Sequence, residues 1–320
     1  MISSGKFTLP GVRPSCTGVT LMLAYFIATH KSPAQVLHLL EAIYREEDIY
    51  TIHVDRKSEA QVEEAIREGT AGKANIHFLE RQFTNWSGWS WVRVEVDAIS
   101  SLIERDARWT HYINLSGQDY PLVPVSVVAE FLQCHPRQSF LEVEAPKRSV
   151  RGDEYFLFLG RWNRYHLDLK SRGKLGPYRV PGIPHRFPKG LTWYRGGAWK
   201  ILSREFCEFV ASGTDPLLKV SKDFWRWTCC PEENFFQTLI MNSRFRCSVI
   251  ADDKREIVWP GPKTFTIADY PYLKTSSKFI ARKFDMDVDR SILERLASDL
   301  HAPPARHGSA QKSKSTTVGF

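Results

Sequence analysis

GVTLMLAYFIATHKSPAQVLHLLEAIYREEDIYTIHVD, residues 18–55, decides the fold. Its opening run, GVTLMLAYFIA, is apolar without alternation and reads as a buried strand. Ser32 and Pro33 then open a helix: Ser32 as N-cap, Pro33 at the first helical position, Gln35 three residues beyond the cap. Val36, Leu39, Leu40 and Ile43 form its apolar stripe. DIYTIHVD is a second strand, closed by the carboxylate of Asp55.

Outward from this unit the alternation continues. SEAQVEEAIRE is a second Ser-capped helix and NIHFL a third strand. A long helical pattern runs from about Trp89 to Glu104. THYINL, VSVVAEFL and SFLEVE follow as strand, helix and strand. A βαβαβαβαβ order implies a mostly parallel twisted sheet with helices on both faces. Ligands of such sheets sit at the carboxyl ends of the strands. That singles out Thr29, His30 and Lys31, then Asp55, then Asn114 to Asp119.

The pattern loosens between about 145 and 190, where RWNRYHLDLKSRGKLGPYRVPGIPHRFPKG is basic, aromatic and rich in Pro and Gly. Long irregular stretches inside a domain are usually functional or disordered, and the aromatics favour function. LTWYRGGAWKILSREFCEFVAS restores order as a strand, a turn and a helix started at Ser203. CSVI is a short later strand. Residues 1–17 read as a flexible lead-in and 301–320 as a disordered tail.

The chain has 320 residues, 42% of them hydrophobic, enough for a full core. Its net charge is +8, which fits an anionic ligand. The cations are scattered, so a solvated basic surface accounts for most of them. Cys16, Cys134, Cys207, Cys229, Cys230 and Cys247 contain no CxxC pair. The adjacent Cys229 and Cys230 suit a disulfide poorly, so buried free thiols are expected. No apolar run reaches the ~20 residues of a membrane-spanning helix. The expected setting is the cytoplasm, with peripheral contact to a membrane left open.

GxGxxG and GxxxxGK[ST] are both absent, which argues against dinucleotide dehydrogenases and P-loop enzymes. Asp55 is placed to accept hydrogen bonds from a ribose or uracil; it is equally a strand-end carboxylate capping the next loop. INLSGQDYPL offers one carboxylate, Asp119, at the end of strand four, and one carboxylate is a poor magnesium site. Any diphosphate leaving there needs another partner. ARKFD supplies two adjacent cations, Arg282 and Lys283, able to do this without a metal. The plainer reading is a solvated basic pair.

Together, AYFIATHK, IYTIHVDRKS, SGWSWVRVEVDAI, YINLSGQDYPL, GGAWKILSREFCEFV, PEENFFQTL and KFIARKFD resemble the core-2/I-branching β-1,6-N-acetylglucosaminyltransferases and peptide O-xylosyltransferases, one family numbered fourteen among glycosyltransferases. The resemblance covers roughly residues 20–290 and implies a GT-A-type α/β fold. It implies a nucleotide-binding half at 18–145 and an acceptor-binding, catalytic half of the same domain at 146–300. It also implies inversion, a UDP-sugar donor carrying GlcNAc or xylose, no metal and no other cofactor. The acceptor would be a hydroxyl of a glycan, lipid-linked sugar or protein.

By that resemblance Glu233 is the catalytic base. Asp55 faces the donor's uridine end, and Arg282 and Lys283 hold its diphosphate; His30, Asp119 and Lys263 are further candidates for donor contacts. The sequence departs from the family where the branching enzymes place a separate arginine some twenty residues before the ARKF-like lysine: that region holds only Lys263. Glu142, Glu144 and Lys147 are carried over as acceptor contacts, and Trp199 and Trp259 are added as candidate acceptor contacts from their aromatic rings.

An inverting displacement needs one base within reach of the acceptor hydroxyl. From the residues alone, Glu232 and Glu233 after Pro231 are both helix-start acids; with the resemblance, Glu233 is the base and Glu232 the helix-start acid. Trp199, Trp259 and Phe235 are read as a sugar platform, a dry wall around the base, or core. Two further functions are weighed. A non-catalytic UDP- or sugar-binding module predicts UDP binding without turnover. A nucleic-acid binder, suggested by charge, predicts strongly salt-dependent binding and lacks any supporting motif.

Overall fold

A computed structural model describes residues 21–145, 160–169 and 177–301. The expected lead-in, Cys16, Lys147 and the expected tail lie outside these residues, except for His301. In chain order the strands are β1 (Leu23–Thr29), β2 (Ile49–Val54), β3 (Ile76–Phe78), β4 (His111–Ser116), β5 (Asp119–Pro121), β6 (Ser139–Leu141), β7 (Arg164–Leu167), β8 (Tyr178–Pro184), β9 (Lys200–Ser203), β10 (Val249–Ile250), β11 (Arg255–Ile257) and β12 (Ile280–Arg282). The helices are α1 (Pro33–Ile43), α2 (Ala60–Gly69), α3 (Trp89–Arg105), α4 (Val125–Gln133), α5 (Arg204–Ser212), α6 (Pro216–Trp225), α7 (Phe235–Met241), α8 (Tyr270–Leu273) and α9 (Ser291–His301).

The main sheet has the order β10-β6-β9-β4-β1-β2-β3. β1 pairs in parallel with β2 and β4, β2 with β3, and β6 with β10. β9 runs antiparallel to both of its neighbours, β4 and β6. The sheet is thus mostly parallel, with one reversed strand. Both faces are covered, which is why β1 reads as an unbroken apolar run. Leu23, Tyr25 and Ile27 enter the core that also holds Val36, Leu39 and Leu40 of α1. Ala24, Phe26 and Ala28 enter the opposite core, with Val92 and Ile99 of α3 and Phe206 of α5.

A second sheet, β11-β12-β5, is small and mixed. It joins three distant segments at the carboxyl end of β4. β7 and β8 form a separate antiparallel hairpin.

Two caps differ from expectation. Ser32 occupies the cap position and Pro33 follows it, but Ser32 is left-handed (φ 51°) and its side chain caps nothing. Its carbonyl accepts from the N–H groups of Gln35 and Val36 instead. Gln35 turns away from the cap. Its amide donates to the carbonyls of Gly117 (2.8 Å) and Phe284 (3.0 Å), and its oxygen accepts from the Met286 N–H. The second helix has Glu59, not Ser58, at its cap. Ser58 Oγ donates to the His30 carbonyl at 2.7 Å, clipping the loop after β2 to the loop after β1. α6, which the sequence reading missed, has a true side-chain cap: Asp215 accepts from the Leu217 N–H at 2.8 Å.

Candidate active site

The carboxyl ends of β1, β2 and β4 open into a cleft of about 1050 Å³. Gly117 lets two of these ends close up: a Cβ there would lie 2.8 Å from Thr29 Oγ1. Of the expected site residues, His30, Asp55, Glu142, Trp199, Glu233, Trp259 and Arg282 line this one cleft. Asp119, Lys263, Lys283 and Glu144 do not.

The register of the small sheet explains the cleft's cationic part. Arg282 on β12 lies opposite Asp119 on β5 and beside Ile257 on β11. The Asp119 carboxylate is 1% exposed and is fully used inside the protein. It accepts from the Ser116 N–H at 2.6 Å and pairs with Arg255 Nη1 at 3.0 Å and Arg282 Nη1 at 3.3 Å. Asp119 therefore anchors two arginines rather than facing a ligand.

Arg282 also donates to Ser116 Oγ, and Arg255 Nη2 donates to the Asn114 carbonyl at 2.8 Å. Both guanidiniums lie over the indole of Trp199, at 4.6 Å for Arg255 and 4.4 Å for Arg282. Burial lowers the Arg255 pKa, while Asp119 opposes that shift. Its Nε has no hydrogen-bond partner among the described residues.

Arg255 was not among the expected residues, although it lines the cleft. It stands just upstream of VWPGPKTFTIADYPYL, where a separate arginine was sought and only Lys263 found. Lys263 pairs with Asp269 at 2.5 Å. The Lys283 backbone is bonded to Lys263 and Phe265. The sequence signal for Arg255 was its KREIV strand, too short to carry a periodicity.

Glu233 closes the short 3-10 turn Pro231–Glu233. It is about one-third exposed and accepts from Arg161 Nη1 at 2.5 Å. Its own carbonyl accepts from the Gly196 N–H at 2.9 Å. Glu232 is in the same turn but is 5% exposed. Burial pushes its carboxyl well above the usual range, with Cys230 and Glu233 adding to this. Its Oε2 finds no partner among the described residues. The two acids are therefore unlike each other: Glu232 stands in the first turn, as expected of a helix-start acid, but it is buried there at the wall of the cleft.

Gly196 must be glycine here, because a Cβ would fall 1.9 Å from the Glu142 carbonyl. The neighbouring Gly197 carbonyl is held by Gln237 of α7 at 2.7 Å. Burial raises the Glu142 pKa, and Asp253 and Glu144 add to it. Glu144 is turned aside into a pair with Arg195 at 2.5 Å. Trp259 is 66% exposed at the rim. Phe235 is fully buried against Trp89 and Phe236, and so belongs to the core.

At the β2 end, Asp55 caps the loop that follows its strand and also lines the cleft. Its carboxylate accepts from the Lys57 N–H at 2.8 Å and from Thr84 Oγ1. A carboxylate has lone pairs to spare for a ligand. His53, one turn of the pleat earlier, is buried and pushed down to about 4 by that burial. Its Nε2 accepts from the Gln82 N–H at 3.1 Å. Lys31 pairs with Asp285 at 2.7 Å at the cleft edge.

Among the described residues no group of three or more His, Cys, Asp or Glu is arranged to hold a metal, and no helix is long and apolar enough to cross a membrane.

The sequence matches xylosyltransferase from Ciona intestinalis at 28% identity, over 92% of this chain and 35% of the relative. It matches xylosyltransferase 2 from Homo sapiens at 28%, over 90% of this chain and 35% of the relative. The chain thus spans about a third of these curated relatives. Among solved structures, the galactosyltransferase LgtC overlaps with a TM-score of 0.41 at 9% identity, over 88% of this chain and 98% of that one. Mouse xyloside xylosyltransferase 1 overlaps at 0.39 and 12%, over 82% and 97%. Overlaps this loose do not bear on function. The family model for the core-2/I-branching enzyme matches residues 23–276, which takes in the sheet, the paired arginines' first member and Glu233. The chain belongs to the core-2/I-branching enzyme family.

Proposed function

We propose that this chain is a metal-independent, inverting glycosyltransferase that moves a sugar from a UDP-sugar to a hydroxyl of a glycan, a lipid-linked sugar or a protein. The observation that carries this reading is the gathering, in one cleft, of the Arg161-held carboxylate of Glu233 and the Arg255–Trp199–Arg282 stack. The curated relatives are named xylosyltransferases, which makes UDP-xylose the first donor to try, with UDP-GlcNAc next.

The uridine lies at the Asp55 and His53 end and the diphosphate against Arg255 and Arg282. Glu233 takes the proton of the acceptor hydroxyl as its oxygen attacks the anomeric carbon. The bond from that carbon to the diphosphate oxygen breaks on the opposite face, and the electron pair leaves with UDP. The two guanidiniums, already fixed by Asp119 and Trp199, meet that charge without rearranging. Glu142 takes hydrogen bonds from acceptor hydroxyls, and Trp259 offers a ring to stack on. If the acceptor is lipid-linked, the chain works at a membrane surface.

The test compares UDP with uridine by calorimetry in the presence of EDTA. UDP should bind without a divalent ion. Arg282→Met should weaken UDP by about tenfold to a hundredfold, one lost charge-assisted contact, and leave uridine unchanged. A strict need for a divalent ion, or equal losses for both ligands, would remove the arginine site from the proposal.

A further inference from the structure

Cys229 and Cys230 take no part in the steps above, yet they sit at the root of the catalytic turn. In extended chain, successive side chains point to opposite faces. Here Cys230 is left-handed (φ 54°, ψ 47°) and the two Sγ atoms lie 3.7 Å apart. Cys229 is partly exposed and Cys230 is buried.

Their backbone is tied to both sides of the base. The Cys229 N–H donates to the Arg161 carbonyl at 2.7 Å, and Arg161 is the residue that holds Glu233. The Cys230 carbonyl accepts from the Glu233 N–H at 3.2 Å and from the Asn234 side chain at 2.7 Å. The Cys230 N–H donates to the Ser87 carbonyl at 2.9 Å, and its Sγ lies 3.2 Å from Ser87 Oγ. Hydrogen bonding with Cys230, helped by the Arg161 charge, holds the Cys229 thiol below its ordinary value despite burial. The thiolate is the reactive form.

We infer that Cys229 and Cys230 form an oxidisable dithiol whose closure to a vicinal disulfide shuts off the neighbouring site. The oxidant is a peroxide. The Cys229 sulfur attacks one peroxide oxygen, the O–O bond breaks, and a sulfenic acid and one water result. The Cys230 sulfur then displaces the sulfenic hydroxyl as a second water and the S–S bond forms. In sum, two thiols and one hydrogen peroxide give one disulfide and two waters. The sulfurs must close from 3.7 Å to about 2.05 Å. With one peptide bond between the residues, that closure must turn the backbone at 229–230. The turn pulls the Cys230 carbonyl from Glu233 and Asn234, and the Cys229 N–H from Arg161. The adjacency that makes the pair a poor structural disulfide makes the closed form strained and readily reduced.

The inference rests on the proposed reaction only for its activity readout. The test treats the full chain with hydrogen peroxide and maps its peptides by mass. The peptide holding both cysteines should lose the mass of two hydrogen atoms, and dithiothreitol should restore it. Sugar transfer should fall in parallel by about a hundredfold, the scale of an ångström-sized displacement, and recover with the thiols. Cys229→Ser should keep basal turnover and resist the oxidant, with Cys229→Ala as a second variant. Replacing the exposed Cys134 and Cys247 by serine should leave the sensitivity intact. A peptide that gains oxygen instead, a pair that stays reduced while Cys134 and Cys247 react, or inactivation that persists in Cys229→Ser would each overturn the inference. If transfer is never detected, the proposed function fails on its own and the mass measurement still decides the dithiol.

Discussion

At the scale of single residues, the two glutamates of CCPEENFFQTL are where sequence and structure inform each other most. Composition and spacing treat Glu232 and Glu233 alike. Both line the cleft, but the fold separates them: Glu232 is buried and pushed toward neutrality, while Glu233 is part-exposed and held by Arg161. Nothing in the sequence shows which carboxylate is buried, so only the family motif picked out Glu233. Arg255 was missed for a related reason. Its partners, Asp119 and Trp199, lie far away in sequence. Arg161→Met should lower kcat while leaving the donor KM nearly unchanged, because it pairs with Glu233, the proposed base, rather than with the cationic part of the cleft. Steady-state kinetics with varied donor checks this; a matched rise in donor KM would place Arg161 in donor binding.

At the scale of elements, β1, α1, β2, α3, β4 and α4 were legible because each carries a full period of apolar residues. The small sheet was not. Its strands Asp119–Pro121, Arg255–Ile257 and Ile280–Arg282 are as short as β3 and β6, but they are broken by Pro121 or by charged residues and so lack the apolar run that marks those two. The Ser58 cap failed because a tertiary partner, the His30 carbonyl, outcompeted the local one.

β9 enters the sheet antiparallel and carries a fully buried Lys200, bonded to both Glu95 oxygens at 3.0 Å and to the Ala198 carbonyl at 2.6 Å. Lys200→Met strands the Glu95 charge and should cost about 3–5 kcal/mol. Pairing it with Glu95→Leu should recover much of that, as read from denaturant unfolding. Gly196→Ala drives a methyl into the Glu142 carbonyl and should cost about 1–3 kcal/mol. It should also reduce transfer, because Glu142 moves with its backbone.

At the scale of the whole molecule, the alternation of strands and helices made the α/β class readable. The same pattern pointed to the carboxyl ends of the strands, where the cleft opens. Which later segments complete that site was not readable, since it depends on β9 reversing between β4 and β6.

The fold also fixes a response to acid. Burial pushes His53 and His111 down to about 4 each, whereas an unfolded histidine takes its proton near about 6.5. The unfolded chain therefore binds more protons in this window. Stability is intact above about 6.5 and is lost progressively as pH falls toward about 4. Thermal unfolding at pH 7.5 and 5.0 should show a lower Tm at the acidic value, and His53→Gln should flatten the difference. An unchanged Tm would mean that these histidines are protonated in the folded chain.

The central claim is that Glu233 is the base of a sugar transfer in this cleft. The measurement that tests it most directly is UDP release from UDP-xylose and UDP-GlcNAc in EDTA, for wild type and Glu233→Gln, with UDP binding measured alongside. Wild type should turn over one donor, the variant should lose about 10²–10⁴-fold, and UDP binding should stay unchanged. A variant that turns over as fast as wild type, or a wild-type chain that does not bind UDP, would contradict it.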